Sequence, residues 1–134
     1  MEMRIRFPGN KKVSAEFYGF TIVTDQPKEA DGDGTGPSPF DLFLASIGTC
    51  AGIFVLSFCK RRDIATDGLE LVETIDWDEA QHKVSKIGIE IVLPDGFPDK
   101  YLDGVIQSAN LCTVKKHVID PPAFTVTPRK RSTA

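Results

Sequence analysis

Three side chains in this chain of 134 residues are equipped for thiol chemistry: Cys50, Cys59 and Cys112. A deprotonated cysteine is a nucleophile, a metal ligand or a redox centre. Cys50 lies in Gly48-Thr49-Cys50-Ala51-Gly52. The small neighbours leave room beside the sulfur, and two glycines weaken a helix there, so either close helix packing or ligand access must justify them. Cys59 is nine residues further on, about half a turn out of phase. The two sulfurs then face opposite sides of one straight helix and cannot bridge, and Cys59 reads as a small hydrophobe near a helix end. Cys112 opens the segment Thr113-Val114-Lys115-Lys116-His117-Val118, a further short helix. Two lysines and a histidine within about a turn place a positive potential there that favours thiolate. A Cys112–His117 nucleophile pair is one reading of that cluster. The plain alternative for each cysteine is an inert buried residue. Spacing along the chain does not join Cys50 to Cys112; only a fold does.

Other chemistries find less support. His82 and His117 lack the paired CxxC-type spacing of a zinc site, so no metal is expected. No GxGxxG or P-loop occurs, and the Gly32–Gly36 stretch lacks the Lys-Ser/Thr ending that cradles phosphate, so nucleotide cofactors are not expected. With 19 acids against 16 bases the formal charge is −3, which argues against a nucleic-acid partner. The opening Met1-Glu2-Met3-Arg4-Ile5-Arg6 alternates charge with apolar residues, unlike a signal peptide. The expected location is the cytoplasm, where thiols stay reduced.

The elements that would position these thiols follow from periodicity. One domain over 1–128 is expected from the length, with 129–134 a basic, solvated tail. Met1, Met3, Ile5 and Phe7 alternate with polar residues, Pro8-Gly9-Asn10 turns the chain, and Val13, Ala15 and Phe17 alternate again. This predicts a hairpin that continues past an irregularity at Gly19 into Phe20–Val23. Asp25–Ser38, rich in Gly, Pro and acids, reads as an exposed loop without core contacts. Ser38 is placed as helix N-cap, Pro39 at the first helical position and Asp41 at the capping-box position. The helix runs to about Lys60. Its stripe Phe40, Phe43/Leu44, Ile47, Ala51, Phe54 and Phe58 is opposed by Leu42, Ile53 and Leu56.

Eighteen uncharged residues between Asp41 and Lys60 stand at the lower edge of a membrane span, with Lys60-Arg61-Arg62 as a basic flank. Ser46, Gly48, Thr49, Gly52 and Ser57 interrupt that run, and amphipathic strands on both sides would be separated by a bilayer. The preferred reading is a soluble helix, apolar nearly all round and buried on most of its surface, with a partner chain covering what one small domain cannot. Leu69–Asp78 and Lys83–Leu93 form a second hairpin around Glu79–His82. Pro98 and Asp99 open a helix with apolar positions at Tyr101/Leu102, Val105/Ile106 and Ala109, and Ala123–Thr127 reads as a closing strand.

Gly36-Pro37-Ser38-Pro39-Phe40-Asp41-Leu42, then Leu44-Ala45-Ser46-Ile47-Gly48-Thr49-Cys50, then Leu111-Cys112-Thr113-Val114 resemble the OsmC/Ohr superfamily, and most of all its YhfA-like branch, with a GPSP…LxxxGxC helix start. The resemblance covers the chain to about Val126. It implies an α+β, OsmC-like fold: two antiparallel sheet segments around a long central helix, in an intertwined homodimer with sites at the subunit interface. It further implies a thiol-dependent peroxidase that reduces organic hydroperoxides, with Cys50 peroxidatic, Cys112 resolving, no cofactor, and an external dithiol as reductant.

Ohr-type members of this superfamily pair the thiolate with an Arg from the loop after the first strand, itself held by a Glu near the start of the cysteine helix. Here the position ten before Cys50 is Phe40, and Asp41 beside it points about 100° away around the helix. The groups left to support a thiolate are Asp41, Lys11, Lys12, Arg4 and Arg6. Lysine lacks the planar fork of arginine. The competing implication is therefore a non-enzymatic or redox-sensing dimeric protein that binds a small apolar ligand at its interface.

Overall fold

In the computed structural model, residues 1–132 are described, and they fall into two compact units, Met1–Thr49 and the remainder from Cys50 on. The first unit holds an antiparallel meander of β1 (Arg4–Gly9), β2 (Lys12–Phe17) and β3 (Phe20–Thr24). The ladder between β1 and β2 shifts between Arg6 and Gly9, where Pro8 has no N–H to give. The expected irregularity at Gly19 is instead a second tight turn. Phe17 pairs with Phe20 across Tyr18 (φ 49°) and Gly19 (φ 79°), both left-handed as in the two-residue turns that match strand twist.

The loop that follows β3 is also more ordered than its composition suggested. Asp25 is 1% exposed, and its carboxylate accepts the N–H groups of Gln26 (2.8 Å), Asp33 (3.4 Å) and Thr35 (3.1 Å) and the Thr35 hydroxyl (2.7 Å). Gly and Pro leave the segment with no regular structure beyond a 3-10 turn at Lys28–Ala30, but they do not stop its amides from converging on one carboxylate. Those bonds, led by the Thr35 hydroxyl, hold the Asp25 carboxyl well below the usual range despite its burial. Such a group stabilises the fold at pH values above its unfolded pKa, about 3.9, and the contribution is lost as pH falls through and below that value. We expect Asp25→Asn to unfold at lower urea concentration than the parent at neutral pH, with the gap narrowing below about pH 4. A gap that stays constant across that range would sink the assignment.

The long helix α1 (Pro39–Lys60) starts as its sequence demands. The Asp41 N–H donates to the Ser38 hydroxyl at 3.2 Å, and the Ser38 N–H donates to the Asp41 carboxylate at 3.0 Å, a reciprocal capping box. α1 is long and apolar enough to cross a membrane by length and composition. Within one chain its buried residues are Ile47, Ala51, Val55, Phe58 and Cys59, a stripe at helical spacing. Phe40 and Phe43, expected inside, are 45% and 39% exposed, and Val55, which no stripe included, is fully buried.

The second unit is built on the last turns of α1. Strands β4 (Glu70–Asp78) and β5 (Lys83–Val92) form the expected antiparallel hairpin around Glu79–His82, with a register shift between Asp76 and Trp77. Helix α2 (Leu102–Ala109) follows a single 3-10 turn at Asp99–Tyr101, and α3 (Thr113–Ile119) follows Cys112. Val55, Phe58, Cys59 and Val105 form the core, flanked by Ile64, Leu69, Leu71, Ile91, Leu93, Phe97, Tyr101 and Ala109. A Cβ at Gly52 would meet Leu71 at an ordinary 3.9 Å, so packing on β4 is not what requires that glycine.

Residues 121–132 carry no helix or strand, and the closing strand expected at Ala123–Thr127 is not formed. Phe124 and Val126 are 84% and 97% exposed. Alternation marks a segment fit for a sheet, but a strand also needs a neighbouring backbone to take its N–H and C=O groups. Of the basic tail, Arg129, Lys130 and Arg131 are exposed, while 133 and 134 lie outside the described residues.

Candidate active site

Cys50 and Cys112 meet in the second unit, at the start of α3. Cys112 is the N-cap of that helix: its backbone is non-helical (φ −47°, ψ 117°), and its sulfur accepts the Lys115 N–H at 3.3 Å. The Cys50 sulfur, half-buried on α1, accepts the N–H groups of Val114 and Thr113, the Thr113 hydroxyl and the Cys112 thiol. Three successive amides, 113 to 115, therefore end on two sulfurs. Among the described residues all three cysteines are reduced.

This arrangement orders the two thiols. Burial pushes Cys50 up, but the hydrogen bonds from Val114, Cys112 and Thr113 outweigh it, and the net shift is downward. Cys112 is raised, first by burial and further by giving its proton toward Cys50, against the Lys115 N–H that lowers it. Of the two thiols Cys50 is the lowered one and so the more readily deprotonated. The expectation that the α3 start would favour thiolate at Cys112 is thus corrected. The helix N-terminus is there, but its first amides reach across to Cys50.

The basic side chains nearby are turned elsewhere. Lys115 donates from Nζ to the Asn110 side-chain oxygen at 2.7 Å. His117 lies back along α3 with Nδ1 2.7 Å from the Thr113 carbonyl, so this nitrogen is not available to Cys112 as a base. Cys59 is fully buried in the core and its thiol is raised by that burial, in keeping with its reading as a bystander.

The proposed supporters of the thiolate all belong to the first unit, and most are engaged there. Arg4 pairs with Glu2 at 2.6 Å and Arg6 with Glu16 at 3.1 Å, both pairs exposed. Lys12 is hydrogen-bonded to Asp33, which raises it, and lies 3.8 Å from the Asp25 carboxylate. Asp41 is spent on the α1 cap and Lys11 is exposed. Among the described residues no group of three or more His, Cys, Asp or Glu is placed to hold a metal.

Thr113 is the residue that sequence reasoning passed over. Its signal was faint: a hydroxyl residue immediately after the N-cap, in a motif read for its cysteine alone. One turn beyond Cys50, Phe54 begins the wall of a cavity of about 470 Å³ between α1 and α2, with Ser57, Arg61, Gln107 and Leu111 among its other residues. Its walls set the rings of Phe54 and Phe58 and the Leu111 side chain beside Ser57, Gln107, Ser108 and two arginines, Arg61 and Arg62.

Comparison with known proteins accords with this frame. A family model described as OsmC-like protein matches residues 32–127. A Psychrobacter arcticus protein assigned to osmotic stress induction and detoxification response is 24% identical over 85% of both chains, with a TM-score of 0.72. An OsmC-like protein of Mycoplasma pneumoniae is 13% identical, covering 90% of this chain and 87% of that one, with a TM-score of 0.70. The organic hydroperoxide resistance protein OsmC of Legionella pneumophila is 16% identical over 87% of each, with a TM-score of 0.56. No curated protein matches the chain. With 96 residues inside the family match, and an arrangement of strands and long helix common to these structures, the chain belongs to the OsmC-like protein family.

Proposed function

We propose that the protein is a thiol-dependent peroxidase of the OsmC/Ohr type, reducing organic hydroperoxides with Cys50 as peroxidatic and Cys112 as resolving cysteine. The observation that carries this reading is that the fold brings Cys50 of α1 against Cys112 at the start of α3, where each thiol shifts the other. The Cys50 thiolate attacks the terminal oxygen of ROOH, the O–O bond breaks, and RO⁻ takes up a proton to leave as ROH. Cys50 is then a sulfenic acid, and the Cys112 sulfur attacks it, forming the disulfide and releasing water. An external dithiol returns both sulfurs to thiols. The Thr113 and Val114 amides and the Thr113 hydroxyl hold the thiolate before the attack. The cavity from Phe54 to Leu111 receives the apolar body of the substrate. Organic hydroperoxide resistance in the Legionella relative is consistent with this chemistry.

The reading includes a homodimer in the cytoplasm. Ile5, Phe7 and Phe20 on the meander, Ile53 and Ile106 on the helices and Leu111 in the turn after α2 are all more than half exposed in one chain. A second copy is the economical cover for so many large apolar side chains.

Stopped-flow mixing of the reduced protein with cumene hydroperoxide, across a pH series, tests the activity. The rate should rise with pH and level off below the ordinary cysteine value of about 8.5, in step with one thiolate seen by ultraviolet absorbance. One observation favours a second reading: Arg4, Arg6 and Lys12 are all engaged with carboxylates, and the donors to Cys50 named above are neutral. A non-enzymatic redox-sensing or ligand-binding dimer would show a Cys50 titrating at its ordinary value and oxidation too slow to turn over.

A further inference from the structure

We propose that α3 is a redox-sensitive element: a Cys50–Cys112 disulfide removes the acceptors that hold its first turn, and segment 112–119 loosens to present the disulfide to its reductant. The inference rests on Cys50 and Cys112 being the reacting pair, but not on the oxidant being a hydroperoxide.

α3 has little else to hold it. It is seven residues long, and none of them is buried. Helices shorter than about 12 residues are marginal on their own in water. Pro121 and Pro122 close off any extension at its C-terminal end. Its N-terminal end is tied by sulfur: Lys115 N–H to Cys112 at 3.3 Å, and the Thr113 and Val114 amides to Cys50. In the reduced state these sulfurs lie at the positive end of the helix.

Forming the disulfide changes each of these contacts. The two sulfurs must close to about 2.05 Å with a dihedral near 90°, which turns the Cys112 sulfur toward Cys50 and off the Lys115 N–H. A disulfide sulfur is a poor acceptor for the other two amides. Three N–H groups then lose their partners together, and water is the nearest replacement. The movement must come from α3, because Cys50 sits within the 22-residue α1, whose following turns are packed by Val55, Phe58 and Cys59. A loosened α3 also answers a need of the cycle, since a buried disulfide is a slow target for an incoming thiolate.

Oxidation with a small disulfide such as oxidised glutathione isolates the effect from peroxide chemistry: both protein thiols are oxidised to one disulfide while the reagent takes up the two protons and two electrons as two thiols. Amide hydrogen exchange across 113–119, read by mass spectrometry, should be at least tenfold faster in the oxidised protein, with β4 and β5 unchanged. Cys112→Ser keeps a good N-cap and cannot form the disulfide, so with its Cys50 held reduced, in the absence of the reagent, its α3 should be as protected as that of the reduced parent. If intact mass shows the disulfide and exchange across 113–119 is unaltered, the switch is refuted while the thiol pair stands. If no Cys50–Cys112 disulfide forms at all, both the switch and the pair reading fall.

Discussion

Cys50→Ser will stop hydroperoxide consumption, lowering the second-order rate by about three orders of magnitude or more, the scale on which loss of a nucleophile is felt. A serine hydroxyl at this site stays protonated at neutral pH, and the donors of the α3 start have no anion to stabilise. Cys112→Ser should behave differently. It leaves Cys50 its Thr113 and Val114 amides, so the first attack survives, but the sulfenic acid has no resolving partner and the protein halts after one equivalent of peroxide. The pair is read in one experiment: hydroperoxide consumed per subunit, with and without dithiothreitol. Turnover by Cys50→Ser, or a Cys112→Ser variant cycling normally without a resolving thiol from outside, would each contradict the assigned roles.

Phe58→Ala is expected to have the largest effect on stability, about 3–5 kcal/mol. The ring lies in the core with Val55, Cys59 and Val105, meets Tyr101 edge-on at 5.9 Å, and carries the Arg62 guanidinium 3.6 Å above its face. The same arginine donates to the Phe58 carbonyl at 3.1 Å, tying off the α1 end. Truncation removes the apolar area and the seat of Arg62 together, and nothing in a helix–hairpin core collapses freely into the space. In a domain whose total stability is of order 5–15 kcal/mol this is a large fraction, and the urea midpoint should fall by at least about 1 M.

Gly104 gives that prediction an internal control. A Cβ there would lie 2.9 Å from the Phe58 ring, so Gly104→Ala should destabilise the parent but not the Phe58→Ala background, where it partly fills the gap and improves α2. A shift of only a few tenths molar in Phe58→Ala, or additive effects in the double variant, would show that the ring is not the centre of this core.

The regular elements were legible because their signals are local. Ser38, Pro39 and Asp41 mark the start of α1 by capping chemistry alone, and the clean alternation of Ile87, Ile89 and Ile91 marks β5. The Tyr18-Gly19 turn was missed because it lacks the Asn or Asp that usually marks left-handed pairs. Asp25 looked like one more loop acid, and its burial follows from four donors that converge only after the loop is closed. The site was legible in its cysteines and illegible in their order. Lysines at 115 and 116 suggested thiolate at Cys112, yet the deciding groups are backbone amides, which every sequence has, aimed by a fold at the other sulfur.

The three thiols of this chain differ in a way that matters for chemistry done to the protein as well as by it. Cys59 is sealed among Val55, Phe58 and Val105, Cys112 is capped and raised, and Cys50 alone is both partly open and lowered. A limiting amount of an alkylating reagent near neutral pH therefore distinguishes them by rate, and a dye or crosslinker delivered that way marks one position per subunit without any cysteine having to be removed.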